Sequence, residues 1–279
     1  MKLFPILAEH FKMDGGACFG VVPKTIWQKF LPADENNLVK LSSRCLLADT
    51  GNRLILIDTG MGNKQSEKYF SFFHRFGEEN LESSFRKFGY SFDQVTDVIL
   101  THLHFDHVGG AVKKGEQPDT FEAVFPNANY YVSKAQWDWA QDANPRESAS
   151  YFPENYLPLF ENGQLEFIHD EGPFCEGIFL EIKNGHTRGL IVPVIDYKGR
   201  KVVFTGDFIA QVHNLPLPYV PGFDVEPLVS MKEKEEFLER AVENNYVLCF
   251  QHDHFNECCN LVRTDKGIRQ KDLFTLADL

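Results

Sequence analysis

One stretch, Thr101-His102-Leu103-His104-Phe105-Asp106-His107-Val108-Gly109-Gly110, constrains this chain more than any other. Three histidines and an aspartate crowd together directly after the apolar run Val98-Ile99-Leu100, where a strand is expected to leave its sheet. Side chains alternate in an extended segment, so His102 and His104 project from one face. The following turn can then swing Asp106 and His107 toward a second position. Gly109 and Gly110 are expected to allow a tight backbone turn without a Cβ clash. Buried together without a cation, these groups would leave several polar atoms unsatisfied, at about 1–3 kcal/mol each. A metal ion removes that cost, so the cluster reads as a metal site.

Three further positions stand out: His186 in Asn184-Gly185-His186-Thr187-Arg188-Gly189, Asp207 in Phe204-Thr205-Gly206-Asp207, and His252 in Phe250-Gln251-His252-Asp253. Each follows a strand-like run or sits in a glycine-flanked turn, where side chains from separate strands can converge at one edge. Strand-like runs are expected at residues 39–48, 53–58, 97–101, 129–132, 165–168, 178–182, 190–197, 201–205 and 246–251. Helical patterns interleave at 66–76, 81–87, 134–141, 154–161 and 232–244. Strands separated by helices predict a layered α/β arrangement. There is no internal repeat, and Pro and Gly are not gathered into a linker, so residues 1–279 are expected to form a single domain. The glycine-rich apolar segment 15–27 lacks periodicity and reads as a loop that lines a pocket, buries in a subunit contact or simply packs.

Composition narrows the partners. Hydrophobic residues make up 43% and charged residues 24%, the balance of a chain that folds throughout. The net charge is −12 and no basic run tracks a phosphate backbone, which argues against nucleic acid and anionic lipid surfaces. A neutral or weakly anionic small molecule fits best, since divalent cations would reverse the local field. The opening residues lack an apolar core of signal-peptide length and no run approaches a membrane span, so a cytoplasmic protein is expected. The six cysteines contain no CxxC pair, which reads as reduced, mostly buried thiols.

Taken in order, HxHxDH, GHTxG, TGD and a late QHD resemble the metallo-β-lactamase superfamily, at spacings similar to its N-acyl-homoserine-lactonase branch. Leu56-Ile57-Asp58-Thr59-Gly60 resembles the family's early strand-end motif, whose aspartate supports a metal-binding histidine from behind. Met13-Asp14-Gly15-Gly16 with Phe19-Gly20-Val21-Val22-Pro23-Lys24 is similar to the subgroup of quorum-quenching lactonases and methyl-parathion-hydrolase-like enzymes.

The resemblance covers nearly the whole chain and implies a four-layer αββα sandwich. It also implies two divalent ions per chain: His102, His104 and His186 on the first, Asp106, His107 and His252 on the second, and Asp207 with a hydroxide bridging them. Histidine with some carboxylate suits zinc and disfavours calcium or magnesium; iron, manganese and cobalt remain compatible. His254 lies beyond this complete set and reads as a supporting or surface residue.

The expected activity is hydrolysis of a cyclic ester, an N-acyl-homoserine lactone, by attack of the metal-bridging hydroxide, with Asp106 delivering a proton to the leaving alkoxide. Well-known lactonases of this kind carry a tyrosine three residues after the bridging aspartate, whereas this chain has Ala210. His213 or Tyr219 is the candidate substitute, and Phe19, Val21, Trp27 and Phe105 are candidate apolar substrate contacts. Two alternatives use related folds: a phosphotriester or thioester hydrolase, and an iron-dependent oxidoreductase. A metal-stabilised binding protein is a third class, and a homodimer through the apolar N-terminal segment is a further expectation.

Overall fold

A computed structural model describes residues 1–279. The chain divides into two compact units, Met1–His10 with Ser43–Asp170, and Phe11–Ser42 with Glu171–Leu279. Strands β1 (Lys2–Asp14) and β2 (Leu38–Asp49) each cross a unit boundary partway along. The first unit adds β3 (Leu54–Ile57), β4 (Asp97–Ile99), β5 (Val112–Lys114), β6 (Phe121–Ala123), β7 (Asn129–Ser133) and β8 (Leu165–Ile168). Its main sheet runs β1-β2-β3-β4-β7-β8, and β5 and β6 form a separate antiparallel pair.

Strands β3, β4, β7 and β8 are mutually parallel. Parallel strands are normally covered on both faces, and Leu54-Ile55-Leu56-Ile57 is buried at every position, as that environment requires. The core beneath them includes Val98, Leu100, Phe85, Phe125, Tyr130 and Tyr156. Ile57 pairs with Ile99, so the segments leaving β3 and β4 emerge side by side. Asp58 leaves the first; the histidine-rich motif leaves the second.

The second unit holds β9 (Gly172–Cys175), β10 (Ile178–Lys183), β11 (Leu190–Tyr197), β12 (Arg200–Phe204), β13 (Val247–Cys249), β14 (Cys258–Thr264) and β15 (Gly267–Phe274), with sheet order β15-β14-β13-β12-β11-β10-β9. Every pairing is antiparallel except β12 with β13, where Phe204 sits opposite Cys249. That parallel register carries Asp207 and His252 off the same edge, each three residues beyond its strand. Because β11 is antiparallel to β12, its beginning lies at that edge too, and the β10–β11 connection brings His186 there. The helix Pro227–Glu243 packs Phe237, Leu238 and Ala241 against Val192, Val203 and Leu248 of this sheet.

The mixed α/β class matches the sequence expectation, and every strand-like run read from the sequence is a strand, with ends shifted by a few residues. Strands β1, β5, β6, β9, β14 and β15 were not anticipated. β15, Gly267-Ile268-Arg269-Gln270-Lys271-Asp272-Leu273-Phe274, is mostly exposed and so lacks the apolar alternation that marks a half-buried strand. The segment 15–27 is not simply a loop: it contains short helices at Gly15–Phe19 and Lys24–Trp27, the first capped by the Asp14 carboxylate on the Ala17 N–H at 3.0 Å. The expected helix at 66–76 is confined to Glu67–Ser71, and the last helix begins earlier than expected, at Pro227, a residue suited to a first helical turn. All six cysteines are free thiols, and only Cys175 is partly exposed. No helix is long and apolar enough to cross a membrane.

Arg53 grips buried Asp97 with two parallel donors, Nε on Oδ2 at 2.8 Å and Nη2 on Oδ1, and the Thr96 hydroxyl donates to the same carboxylate at 2.6 Å. Asp97→Ala leaves the guanidinium without its acceptor at the start of β4. Because Arg53 is partly exposed, the expected loss is about 2 kcal/mol, below the range for fully buried pairs. Urea unfolding measures it, and an unchanged midpoint would refute this role.

Candidate metal centre

Leu100 ends the apolar strand region, and residues 101–104 continue without regular structure before the short helix Phe105–Val108. His102 Nε2 and His104 Nδ1 come within 3.0 Å of each other, so the alternation of an extended segment aims both at one point. The short helix brings His107 beneath them, its ring centroid 3.9 Å from that of His102. Asp106 lies beside it, with Oδ2 3.7 Å from His107 Nε2.

Asp58 supports this arrangement. It adopts φ +60°, a left-handed conformation that aspartate tolerates better than most residues. Its buried carboxylate accepts from the Thr101 N–H and hydroxyl, both at 2.8 Å, and lies 2.9 Å from His107 Nδ1. The Thr59 hydroxyl and N–H both donate to the His107 carbonyl at 2.8 Å, so the Asp58-Thr59 turn grips the motif from behind.

Gly109 and Gly110 serve close approach rather than unusual dihedrals. Neither has a positive φ, but a Cβ at Gly109 would stand 2.1 Å from the Met61 carbonyl oxygen, and one at Gly110 would stand 2.1 Å from that of Thr59. Buried Lys64 donates to the carbonyls of Gly109 and Val112, and burial pushes its ammonium down to about 7. Glu9, which accepts from the Met61 N–H at 3.1 Å, is pushed up to about 7 by burial, with the Asp106 charge acting in the same direction.

In the second unit Asp207 presents its two carboxylate oxygens to different histidines. Oδ2 lies 3.2 Å from His186 Nε2, and Oδ1 lies 2.9 Å from His252 Nε2. The opposite nitrogens are also engaged. His186 Nδ1 is 3.0 Å from Asp224 Oδ1, whose other oxygen accepts from Ser230 at 2.6 Å, while His252 Nδ1 donates to the Ser42 carbonyl at 2.8 Å. The Ala210 carbonyl accepts the His252 N–H at 3.0 Å, so the residue standing where a tyrosine was expected helps seat this histidine through its backbone. His254 is one step removed, with Nδ1 3.4 Å from the Ser42 hydroxyl.

All seven expected ligands are buried, His102, His104, Asp106 and His107 in the first unit and His186, Asp207 and His252 in the second. For His107, His186 and His252, an acceptor on Nδ1 leaves Nε2 as the lone-pair donor a metal requires. Imidazole and carboxylate donors of this kind fit divalent metal ions.

The apolar candidates differ in exposure. Phe19 and Trp27 are fully buried and stack on each other at 5.4 Å, and Phe105 packs against Tyr69 and Phe73. Val21 is largely exposed. Half-buried His213 and Tyr219 both lie against Phe30, at 4.8 and 6.3 Å, and burial holds the His213 imidazole below its ordinary range. Phe30, Asp224, Glu9 and the Ser42 carbonyl were not singled out from the sequence, and nothing in their local motifs distinguishes them from other residues of their kind.

A family model described as the metallo-beta-lactamase superfamily matches residues 39–252. An N-acyl homoserine lactonase from Bacillus cereus is 27% identical over 230 residues, covering 78% of this chain and 83% of the relative. A crystal structure of a probable metal-dependent hydrolase from Staphylococcus aureus superposes with a TM-score of 0.89 at 27% identity, over 98% of this chain and 96% of the other. AidC, a dizinc quorum-quenching lactonase in complex with a product, superposes with a TM-score of 0.76 at 23% identity, over 96% and 93% of the two chains, a likeness of fold.

Asp224→Asn removes the charge that holds His186 with Nε2 facing Asp207. Loss of such a supporting contact typically weakens metal binding by about 10- to 100-fold. Competition with a chromophoric chelator is expected to show that loss, and affinity equal to the parent protein would contradict it.

Proposed function

The chain belongs to the metallo-β-lactamase superfamily, and from that premise we propose that it is a dinuclear metal-dependent hydrolase that opens the ring of an N-acyl-homoserine lactone. The observation that carries this reading is Asp207, whose two oxygens face His186 and His252 separately. A carboxylate shared in this way suits two ions side by side. In the proposed assignment His102, His104 and His186 would hold one ion, Asp106, His107 and His252 would hold the other, and Asp207 would serve as a ligand shared by the two. Two divalent ions held there would supply Lewis acidity, lowering the pKa of water and polarising an ester carbonyl.

The remaining work falls to side chains. Asp58 and Asp224 keep His107 and His186 in the tautomer with Nδ1 protonated, so that neither ring turns away during turnover. Asp106, buried but for a small part of its carboxyl, is assigned the transfer of the proton released by the attacking water to the departing ring oxygen. Burial of all seven groups removes competing water and strengthens each electrostatic contact.

The acyl portion would lie against the aromatic cluster of Phe30, His213 and Tyr219, in a segment anchored by the buried Phe19–Trp27 stack. The likeness to N-acyl homoserine lactonases supports a lactone over the other esters this chemistry would hydrolyse.

The test is a substrate panel on the metal-replete protein: N-acyl-homoserine lactones, an aryl phosphotriester and a glutathione thioester. Lactone turnover with the highest kcat/KM is expected. Asp207→Ala should lower kcat at least about 1,000-fold while the circular dichroism spectrum is retained. Turnover of the phosphotriester or thioester with none of the lactones would overturn the substrate assignment.

A further inference from the structure

Among the candidate histidines, several have a partner on the nitrogen turned away from their neighbours. His107 has Asp58, His186 has Asp224, His252 has the Ser42 carbonyl, and His102 Nδ1 has the Thr101 hydroxyl at 3.1 Å. His104 is reversed: Nδ1 faces His102, so its outward nitrogen is Nε2. A buried carboxylate, Glu147, stands there with Oε2 3.6 Å from His104 Nε2, beyond hydrogen-bond range but within reach of charge.

Glu147 comes from the segment after the helix Lys134–Gln141 and is held in a built environment. Its Oε1 accepts from Trp139 Nε1 and, at 3.2 Å, from the Tyr151 hydroxyl. The Tyr151 hydroxyl is also 3.1 Å from Gln136 Oε1, and that oxygen accepts the Leu103 N–H at 3.1 Å, between His102 and His104. The Tyr151 ring lies 4.9 Å from the His104 ring. One polar network therefore fixes the backbone between the two histidines and points a carboxylate at the back of the second. A buried carboxylate is costly unless paired and hydrogen-bonded, and here Oε1 accepts two hydrogen bonds while Oε2 faces an imidazole.

We propose that Glu147 is the positioning residue for His104: it holds the imidazole with Nδ1 presented beside His102 Nε2 and, as an anion behind the ring, raises the basicity of that nitrogen toward a metal ion. The proposal rests on the metal-dependent reading above. It extends to His104 the support that Asp58 gives His107, using a carboxylate from a different part of the chain.

The test compares the parent protein with Glu147→Gln, which keeps size and an acceptor for Trp139 and Tyr151 but removes the charge, and with Trp139→Phe, which keeps the carboxylate and removes one donor that aims it. Metal content is read by elemental analysis, affinity by chelator competition, and ligand geometry by the visible spectrum of the cobalt-substituted proteins. Glu147→Gln is expected to bind one of the two ions about 10- to 100-fold more weakly and to alter the cobalt spectrum, while the metal-free variant unfolds within a degree or two of the parent. Trp139→Phe is expected to shift affinity in the same direction by less. Parent-like affinity and spectrum in Glu147→Gln would overturn the positioning role while leaving the dinuclear reading intact. A parent protein that takes up no ions would overturn both. If Glu147→Gln fails to fold, parent-like affinity in Trp139→Phe overturns the proposal.

Discussion

Imidazole and carboxylate lone pairs buried facing one another lose hydration they cannot replace, and the candidate ligand clusters call for something that repays that cost. Burial of an unpaired polar group costs about 1–3 kcal/mol and burial of a charge costs considerably more. Asp207, with a histidine nitrogen about 3 Å from each oxygen, concentrates the problem. Divalent cations held there would settle it by supplying positive charge where the lone pairs converge. The supporting contacts of Asp58, Asp224, Glu147 and the Ser42 carbonyl follow from the same constraint, since a ligand that can rotate or change tautomer forfeits the compensation.

Strand direction makes the convergence possible. The parallel register of Phe204 with Cys249 delivers Asp207 and His252 at one edge, and the parallel register of Ile57 with Ile99 delivers Asp58 beside Thr101. In open α/β sheets, groups that do chemistry gather beyond the carboxyl ends of parallel strands, and both pairings follow that rule. Dense packing then fixes the loops: the glycines at 109 and 110 have carbonyls where a Cβ would stand, and Lys64 ties the same turn down through two more carbonyls.

Much of this was legible in the sequence because the candidate ligand residues sit in compact motifs beside apolar runs. His102, His104, Asp106 and His107 announce themselves by crowding, and strands such as Leu165–Ile168 and Leu190–Tyr197 by uninterrupted apolar or alternating character. Exposed strands such as β15 lacked that signal, and the helices at Gly15–Phe19 and Lys24–Trp27 are too short to show a helical period. Supporting residues were illegible for another reason. Asp58 carries a motif of its own, but Glu147 and Asp224 act through tertiary placement, and a single acidic residue among 40 has no local mark that it will face a histidine. Phe19 and Trp27 show the converse: apolar residues in a glycine-rich segment looked available for a substrate, and packing buried them completely.

Zinc K-edge X-ray absorption on the zinc-loaded protein tests the central claim most directly, because it reports the donors around each ion and the distance between ions together. Two ions per chain, a first shell of nitrogen and oxygen at about 2.0–2.1 Å and a metal–metal vector near about 3.5–4 Å are the predicted result. A sulfur shell near about 2.3 Å, or a single ion with no neighbouring metal, would contradict it.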